Sequence, residues 1–356
     1  DDLSRRDFTM NAIAVSLDTG RLVDPFHGKK DIARKIIKTV GNPKERFLED
    51  GLRPIRAVRF SAQLNFKIEQ NTYKTLFDNQ IKEKITSISV ERFRDEFIKL
   101  LKARKPSVGL KILEETGILN FFMPELTSCR NCIQNDGRGY HIFDVMDHCF
   151  YACDGAPCEK PLLRLAALLH DIGKPDVRME RFENGIKIVN FYNHEKKSKE
   201  KAEILMTRLK FSNAEIKYVC HLIENHMFHY ESAWSDSAVR RFIVKIGKDN
   251  IDDLIDLRLA DMYGKYNKPV RIHDNPACIL LNELKDRVEQ IEKSSSVLNM
   301  KNLAINGNTL IKAGIPSGKE LGKILKELFN MVLENPSMNT EEKLTECALK
   351  MYQSTL

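Results

Sequence analysis

The sequence lacks several features that would set it apart from aqueous globular proteins. It contains no run of eighteen consecutive apolar residues, which excludes a helical membrane span. No signal peptide is visible. No internal repeat recurs, and low-complexity sequence is confined to Ser294-Ser295-Ser296. Charge of either sign is not dominant: the net charge is +7, a mild excess compatible with an RNA partner and equally with plain solubility. The eight cysteines follow no disulfide framework and read as reduced thiols, which points to a cytoplasmic protein. Cys129-x-x-Cys132 stands without a second pair to complete a zinc site. With 356 residues and 42% hydrophobic content, two or three domains with sizeable cores are expected.

What is present is a stretch of paired charge. In Glu49-Asp50-Gly51-Leu52-Arg53-Pro54-Ile55-Arg56, helical spacing puts Glu49, Arg53 and Arg56 on one face, with Asp50 at its edge. Leu48, Leu52, Ile55 and Ala62 fall on the opposite, apolar face. A carboxylate acceptor beside a guanidinium fork can imitate the Watson–Crick edge of a base. Alone, the same pattern reads as a solvated salt-bridge ladder. Pro54 removes a helix hydrogen bond, so the helix is expected to start near Asp50 or to bend there.

Four segments occur in order over the first hundred residues. They are Arg5-Arg6-Asp7-Phe8-Thr9-Met10-Asn11-Ala12, Asp24-Pro25-Phe26-His27-Gly28-Lys29-Lys30-Asp31, Glu49 to Phe60, and Glu91-Arg92-Phe93-Arg94-Asp95-Glu96-Phe97. Together they resemble the R-R-D-F-T-x-N-A, D-P-F-x-G-x-x-D, E-D-x-x-R and E-R-x-x-x-E segments of the bacterial tRNA nucleotidyltransferase and poly(A) polymerase family, the class that includes CCA-adding enzymes. The resemblance implies that Asp50 and Arg53 read an incoming CTP or ATP. It implies that Arg6, Asp7 and Asn11 hold ribose and phosphates and that Arg56 reaches the triphosphate, with Glu49 beside them on the helix. It also implies tRNA as partner and Mg2+ as the ion of nucleotidyl transfer. The family's metal-binding D-x-D pair, which follows G-G-x-x-R-D, stands ahead of R-R-D; neither motif occurs in this sequence. The expectation is a chain without the polymerising metal site, either a fragment or one part of a split enzyme.

A second constellation lies further on. The apolar run Leu162 to Leu169 ends in His170-Asp171-Ile172-Gly173-Lys174, with His148 upstream and His194, His226 and Asp261 downstream. The order H…HD…H…H…D resembles the HD phosphohydrolase superfamily. The resemblance implies that His148, His170, Asp171 and Asp261 hold a divalent metal, with His194 and His226 either binding a second metal or contacting phosphate. Imidazole and carboxylate donors suit Mn, Ni, Co, Fe or Zn, and such a metal activates water and polarises a phosphoryl oxygen. Asp171 and Lys174 are the candidate catalytic residues, Lys174 on the substrate phosphate. His27, His141, His221, His229 and His273 read as core or surface residues.

The coarse pattern is mainly α. A hairpin is read at Ile13 to Val23 around Asp18-Thr19-Gly20, a strand at Ile36 to Val40, and a second hairpin at Phe182 to Tyr192 around Asn184-Gly185. Phe93, Phe97, Leu100 and Leu101 mark one helix. Val108, Leu110, Ile112 and Leu113 mark another, stopped by Gly117. The expected organisation is a short β remnant of a nucleotidyltransferase head (1–45), an all-helical neck with the nucleotide-reading helix (46–135), an HD domain (136–275) and a helical RNA-binding tail (276–356). In the tail, Gly314 to Gly322 reads either as a phosphate-binding helix start or as a packed corner, and Thr340 as an N-cap followed by Glu341 and Glu342. The function implied is addition of C or A to RNA 3′ ends. The alternatives are HD-domain phosphohydrolysis or RNA binding without polymerisation. A monomer and a dimer are both open.

Overall fold

A computed structural model describes residues 2–134, 142–183, 186–268, 275–294 and 298–354. The fold is mainly helical; among the described residues the strands form three two-stranded sheets. None of the described helices is long and apolar enough to cross a membrane. The chain divides into two compact units, Asp1–Met227 with Asp256–Val270, and Phe228–Ile255 with Arg271–Leu356.

The first unit opens with the expected hairpin, β1 (Ala14–Val15) antiparallel to β2 (Leu22–Val23), turning through Gly20 at φ 64°. Strand β3 (Ile36–Ile37) leads into helix α1 (Pro43–Glu49), which starts with Asn42 accepting from Lys44 N at 2.9 Å and with Pro43 in its first turn. Helix α2 (Leu52–Leu64) follows, and β4 (Lys67–Ile68) then pairs parallel with β3.

The helix bearing Arg53 and Arg56 starts just after Asp50, one of the two outcomes expected from Pro54, but the face expected to carry Glu49 with them is divided between two helices. Asp50 is extended, at φ −149° and ψ 115°, and starts α2 afresh: its Oδ1 accepts from Leu52 N at 3.0 Å and its carbonyl from Arg53 N at 3.0 Å. Gly51 sits where any Cβ would overlap the Lys84 carbonyl oxygen, so the chain here is pressed against a neighbouring segment. Pro54 falls in the first turn of α2, where its missing N–H costs no helix bond. Leu52, Ile55 and Ala62 are buried as expected, but Leu48 belongs to α1 and is 37% exposed.

Helix α3 (Val90–Leu101), capped by Ser89, and α4 (Pro106–Glu115), ended at Gly117 with φ 76°, pack against α2 and bury Phe93, Phe97, Leu100, Leu101, Leu110 and Leu113. Helices α5 (Val145–Gly155) and α6 (Pro161–Leu169) form the next layer. All of Leu163 to Leu169 is buried, including Arg164, whose guanidinium donates to Ala156 O at 2.9 Å and to the carbonyls of Leu101 and Ala103. The hairpin β5 (Met179–Glu183) with β6 (Ile186–Asn190) has the expected antiparallel pairing, and its turn residues Asn184 and Gly185 lie outside the described residues. Helices α7 (His194–Arg208) and α8 (Asn213–Asn225) follow, and α9 (Ile251–Tyr266) brings Asp256 onward into this unit.

The second unit has its own core, with Leu310, Ile315, Ile324, Leu328, Val332 and Leu344 at its centre. Arg240 caps the helix Lys319–Glu334 by donating to Leu333 O at 2.6 Å and Glu334 O at 3.1 Å. Thr340 caps the last helix, Glu341–Gln353, with Glu341 and Glu342 in its first turn. The side chain of Asn306 accepts from the amides of Asn308 and Thr309, and Gly314 and Gly318 turn at φ 100° and 157° with nothing within 4 Å of a Cβ at either position.

Candidate functional site

Two sites emerge, both within the first unit. The first is a cleft of about 570 Å³ lined by Arg5, Arg6, Asp7, Asn11, Asp50, Leu52, Arg53, Arg56, Phe60 and Arg92. Asp7 is its organising acceptor. One carboxylate oxygen receives the Phe8 N–H at 2.9 Å and Asn11 Nδ2 at 2.9 Å, and the other receives Arg56 Nε at 2.7 Å. Behind them the buried Glu96 carboxylate accepts from Arg59 Nε at 2.5 Å and lies 3.7 Å from Arg56 Nη1. The Arg59 guanidinium stacks 3.7 Å above the Phe60 ring, whose edge meets Phe8. The start of α2 is thus tied to the start of the chain.

On the other wall, Arg53 is pinned from behind by the Arg46 carbonyl (3.0 Å), the Arg5 carbonyl (3.0 Å) and an ion pair with Glu49. Asp50 receives Arg92 Nη2 on its second oxygen at 2.7 Å. Burial pushes the Asp50 carboxyl up, but the Arg92 and Leu52 hydrogen bonds and the charges of Arg92 and Arg53 bring it below its ordinary value.

Of the residues expected at this site, Arg6, Asp7, Asn11, Asp50, Arg53 and Arg56 line the cleft, and Glu49 does not. The helix break at Asp50 leaves Glu49 as the last residue of α1, where it pairs with Arg46 and Arg53. Sequence reasoning did not single out Arg5, Phe60 or Arg92. Arg92 stood inside a quoted motif, but only the three-dimensional contact with Asp50 marks it.

The second site is buried. His148 sits on α5, His170 and Asp171 follow α6, His194 begins α7, His226 follows α8, and Asp261 is on α9; each is less than 8% exposed. His148 Nε2 lies 3.3 Å from Asp171 Oδ2 and 3.3 Å from Asp261 Oδ1, and 3.1 Å from His170 Nε2. His194 Nε2 is 3.2 Å from Asp171 Oδ1 and 3.3 Å from His226 Nε2. Donor atoms of His148, His170 and Asp261, and of His170, Asp171 and His226, each converge within 4.8 Å.

Local backbone carbonyls orient the rings. The Nδ1 atoms of His170, His194 and His226 lie 2.8, 2.8 and 2.7 Å from the carbonyl oxygens of Ala167, Phe191 and Ile223. A carbonyl only accepts, so each Nδ1 carries a proton and each Nε2 is turned toward the cluster. The close approach that assembles the site requires Gly173: a Cβ there would stand 2.5 Å from Ser198 N and 2.7 Å from His194 O. Its own N–H donates to Ser198 Oγ at 2.9 Å.

These donors fit a divalent cation. The Nε2 atoms of His194 and His226 face one another at 3.3 Å, and among the described residues Asp171 Oδ1 is buried without a hydrogen bond. A cation relieves both. Burial, then the charge of His170, pushes His226 down to about 3, so that ring is neutral and ready to ligate. Burial alone would lower His148 and raise both carboxyls. Hydrogen bonds and charges within the cluster win instead: His148 is held above its ordinary value, and Asp171 and Asp261 well below theirs.

Lys174 Nζ donates to Asp171 Oδ2 at 2.6 Å and to Gln134 Oε1 at 2.7 Å. The cluster opens into a pocket of about 290 Å³ whose wall adds Phe191, Tyr192, Met227, Arg258 and Lys265 to the ligand set. Arg258 Nη1 also donates to Asp261 Oδ2 at 3.0 Å. Sequence reasoning did not mark Gln134, Arg258 or Lys265. His27 and His229 are exposed and His221 is half-buried, outside the cluster; His141 and His273 lie outside the described residues.

Residues 1–38 match the Poly A polymerase head domain, 65–130 the probable RNA and SrmB-binding site of polymerase A, and 138–265 the HD domain. The A-adding tRNA nucleotidyltransferase of Deinococcus radiodurans is 34% identical over 268 residues, covering 73% of this chain and 59% of the relative. The CCA-adding enzyme of Lactobacillus johnsonii is 30% identical over 346 residues, covering 97% of this chain and 71% of that enzyme. The chain therefore spans 59% and 71% of these two relatives. Among solved structures, the Bacillus stearothermophilus CCA-adding enzyme in complex with CTP has the same fold, with a TM-score of 0.67 at 22% identity over 99% of this chain and 74% of that one. The Thermotoga maritima CCA-adding enzyme complexed with tRNA aligns with a TM-score of 0.52 at 20% identity, covering 98% of this chain and 73% of that one.

Proposed function

The chain belongs to the bacterial tRNA nucleotidyltransferase family of CCA-adding and A-adding enzymes, and from that premise we propose that its basic cleft recognises CTP and ATP for addition to tRNA 3′ ends. The observation that carries this reading is the cleft itself. A fixed carboxylate acceptor, Asp50, stands beside the donor forks of Arg53 and Arg92, on a wall continuous with Arg5, Arg6 and Arg56. Cytosine and adenine share an exocyclic amino donor next to a ring-nitrogen acceptor, which a carboxylate and a guanidinium complement. The remaining arginines suit phosphate oxygens, and Asn11 suits a ribose hydroxyl. Transfer is proposed to use magnesium; this reading assigns to the chain base, sugar and phosphate recognition. The neck (46–135) and tail (276–356) are proposed to contact the tRNA. Titration of the chain with CTP and ATP tests the proposal. Both should bind, and Arg53→Ala and Arg56→Ala should each weaken binding by about tenfold or more, the equivalent of one lost charged hydrogen bond. An unmodified chain that binds neither nucleotide contradicts it.

The buried histidine cluster supports a second activity, metal-dependent phosphohydrolysis. His148, His170, Asp171 and Asp261 would hold a divalent transition metal, with His194 and His226 completing the set. Such a metal supplies Lewis acidity and a water of lowered pKa. The carbonyls of Ala167, Phe191 and Ile223 keep three imidazoles in the ligating tautomer. Lys174, Arg258 and Lys265 bring positive charge to the pocket for a phosphate, and Tyr192, 60% exposed, offers a ring for a base. Elemental analysis together with a phosphodiesterase assay tests this. Asp171→Ala should lose both metal and turnover, and an unmodified chain that retains no metal rules the activity out.

A further inference from the structure

We infer that Arg92 is a specificity-determining residue of the cleft, setting the direction of the Asp50 carboxylate so that bases carrying an amino donor are accepted and those carrying a keto acceptor in its place are refused. The inference rests on the proposed nucleotide-reading role of the cleft and goes beyond it to a residue outside the reading pair.

The backbone at Asp50 has no freedom to drift. It is extended between two helices, and Gly51 is pressed against the Lys84 carbonyl. The side chain is fixed in turn by its two oxygens. Oδ1 accepts from Leu52 N at 3.0 Å, and Oδ2 accepts from Arg92 Nη2 at 2.7 Å. Two donors on different oxygens define the plane of a carboxylate; with Leu52 alone it would turn about its single bond to Cβ.

Arg92 can hold that plane because its own base is rigid. It lies in the first turn of α3, and its N–H reaches the capping Ser89 Oγ at 3.4 Å. Its side chain is 49% exposed and lines the cleft. A guanidinium carries five N–H donors, and among the described residues only the Nη2 contact with Asp50 is made. The others meet no acceptor among the described residues, in contrast to Arg53, which Glu49, Arg46 O and Arg5 O hold from behind.

The chemistry follows from donor and acceptor order. Cytosine presents N4–H2 then N3; adenine presents N6–H2 then N1. Uracil and guanine present a carbonyl oxygen then a ring N–H. A carboxylate locked in one orientation beside a guanidinium matches the first order, and against the second sets acceptor to acceptor. A carboxylate free to turn can move aside or bring water in and so loses much of that penalty. Arg92 therefore governs the ratio between nucleotides more than the affinity for any of them.

The test is a binding panel of CTP, ATP, UTP and GTP, with inorganic tripolyphosphate as the base-free probe, on the chain and on Arg92→Gln, Arg92→Lys and Asp50→Ala. Removing a cation from the cleft weakens every polyphosphate, so the readout is each ratio of CTP to UTP after normalisation to tripolyphosphate. Arg92→Gln should lower that ratio by about tenfold, the value of one well-placed bond. Arg92→Lys, which keeps a charged donor, should restore part of it. In an Asp50→Ala background Arg92→Gln should change the ratio by less than twofold. An unchanged ratio in Arg92→Gln, in a variant whose circular dichroism matches the parent, overturns the inference while leaving the cleft as the nucleotide site. A parent chain that binds CTP and UTP equally overturns the base-reading role of Asp50, and the inference with it.

Discussion

Asp7→Asn is the sharpest perturbation of the cleft, because it keeps the shape of the side chain and changes only its charge and one acceptor. Asp7 joins Phe8 N, Asn11 Nδ2 and Arg56 Nε, at 2.9, 2.9 and 2.7 Å. All three are donors. The pair with Arg56 changes from a charged hydrogen bond, worth about 1.5–3 kcal/mol, to a neutral one worth about 0.5–1.5 kcal/mol. The new amide nitrogen must also face either Arg56 or the Phe8 and Asn11 pair, setting donor against donor at a further cost of about 1–3 kcal/mol. Asp7 is 9% exposed but Arg56 is 30% exposed, so water recovers part of the loss on the arginine side. The result is a destabilisation of about 2 kcal/mol, read by urea unfolding followed by far-UV circular dichroism. CTP affinity should fall by about tenfold or more, since Arg56 is released toward Glu96, already 3.7 Å away. A loss below about 0.5 kcal/mol with unchanged CTP affinity would refute the claim that Asp7 organises this site.

Three further outcomes are expected. Glu49→Ala should lower CTP affinity only a few-fold, against the larger loss in Arg53→Ala, because Glu49 braces Arg53 from outside the cleft; equal losses by titration calorimetry would contradict this. Gly173→Ala should destabilise the chain by about 2 kcal/mol or more, since the added Cβ meets backbone of α7 rather than a flexible side chain; an unchanged urea midpoint would contradict it. Metal affinity of the histidine cluster should rise with pH. His148 is held above its ordinary value, so its proton is bound at low pH, competes with the metal there and is lost as pH rises. Asp171 and Asp261, held well below their ordinary values, and His226, at about 3, stay ligand-ready throughout. Calorimetry in buffers of different ionisation enthalpy should therefore find proton release on metal binding that diminishes as pH rises; an affinity flat from about pH 5.5 to 8.5 would contradict it.

Where local pattern decided the structure, the sequence was legible. Apolar spacing marked α3, α4 and α6, and glycine or asparagine turns marked the hairpins. The resemblance of His148, His170, Asp171, His194, His226 and Asp261 in their order to the HD superfamily implied one cluster, and the fold brings all six together. Legibility failed where a tertiary contact overrode the local signal. A helical wheel placed Glu49 beside Arg53 and Leu48 beside Leu52. The approach of Gly51 to Lys84 and the capping of α2 by Asp50 split that wheel in two. Arg92, Gln134 and Arg258 owe their places to partners that no periodicity in the sequence announces. Asp50 is forty-two positions from Arg92, and Lys174 forty from Gln134. Arg258 is one turn from Asp261 on α9, but that proximity acquires meaning only once Asp261 is known to face the cluster.

The most direct test of the central claim is where CTP binds, because both the cleft and the histidine pocket offer cations to a phosphate. Hydrogen–deuterium exchange of the chain with and without CTP distinguishes them. The cleft account predicts added protection in the segments 5–12 and 46–56 and none in 170–194. Protection confined to 170–194 would contradict it and make the histidine pocket the nucleotide site of this chain.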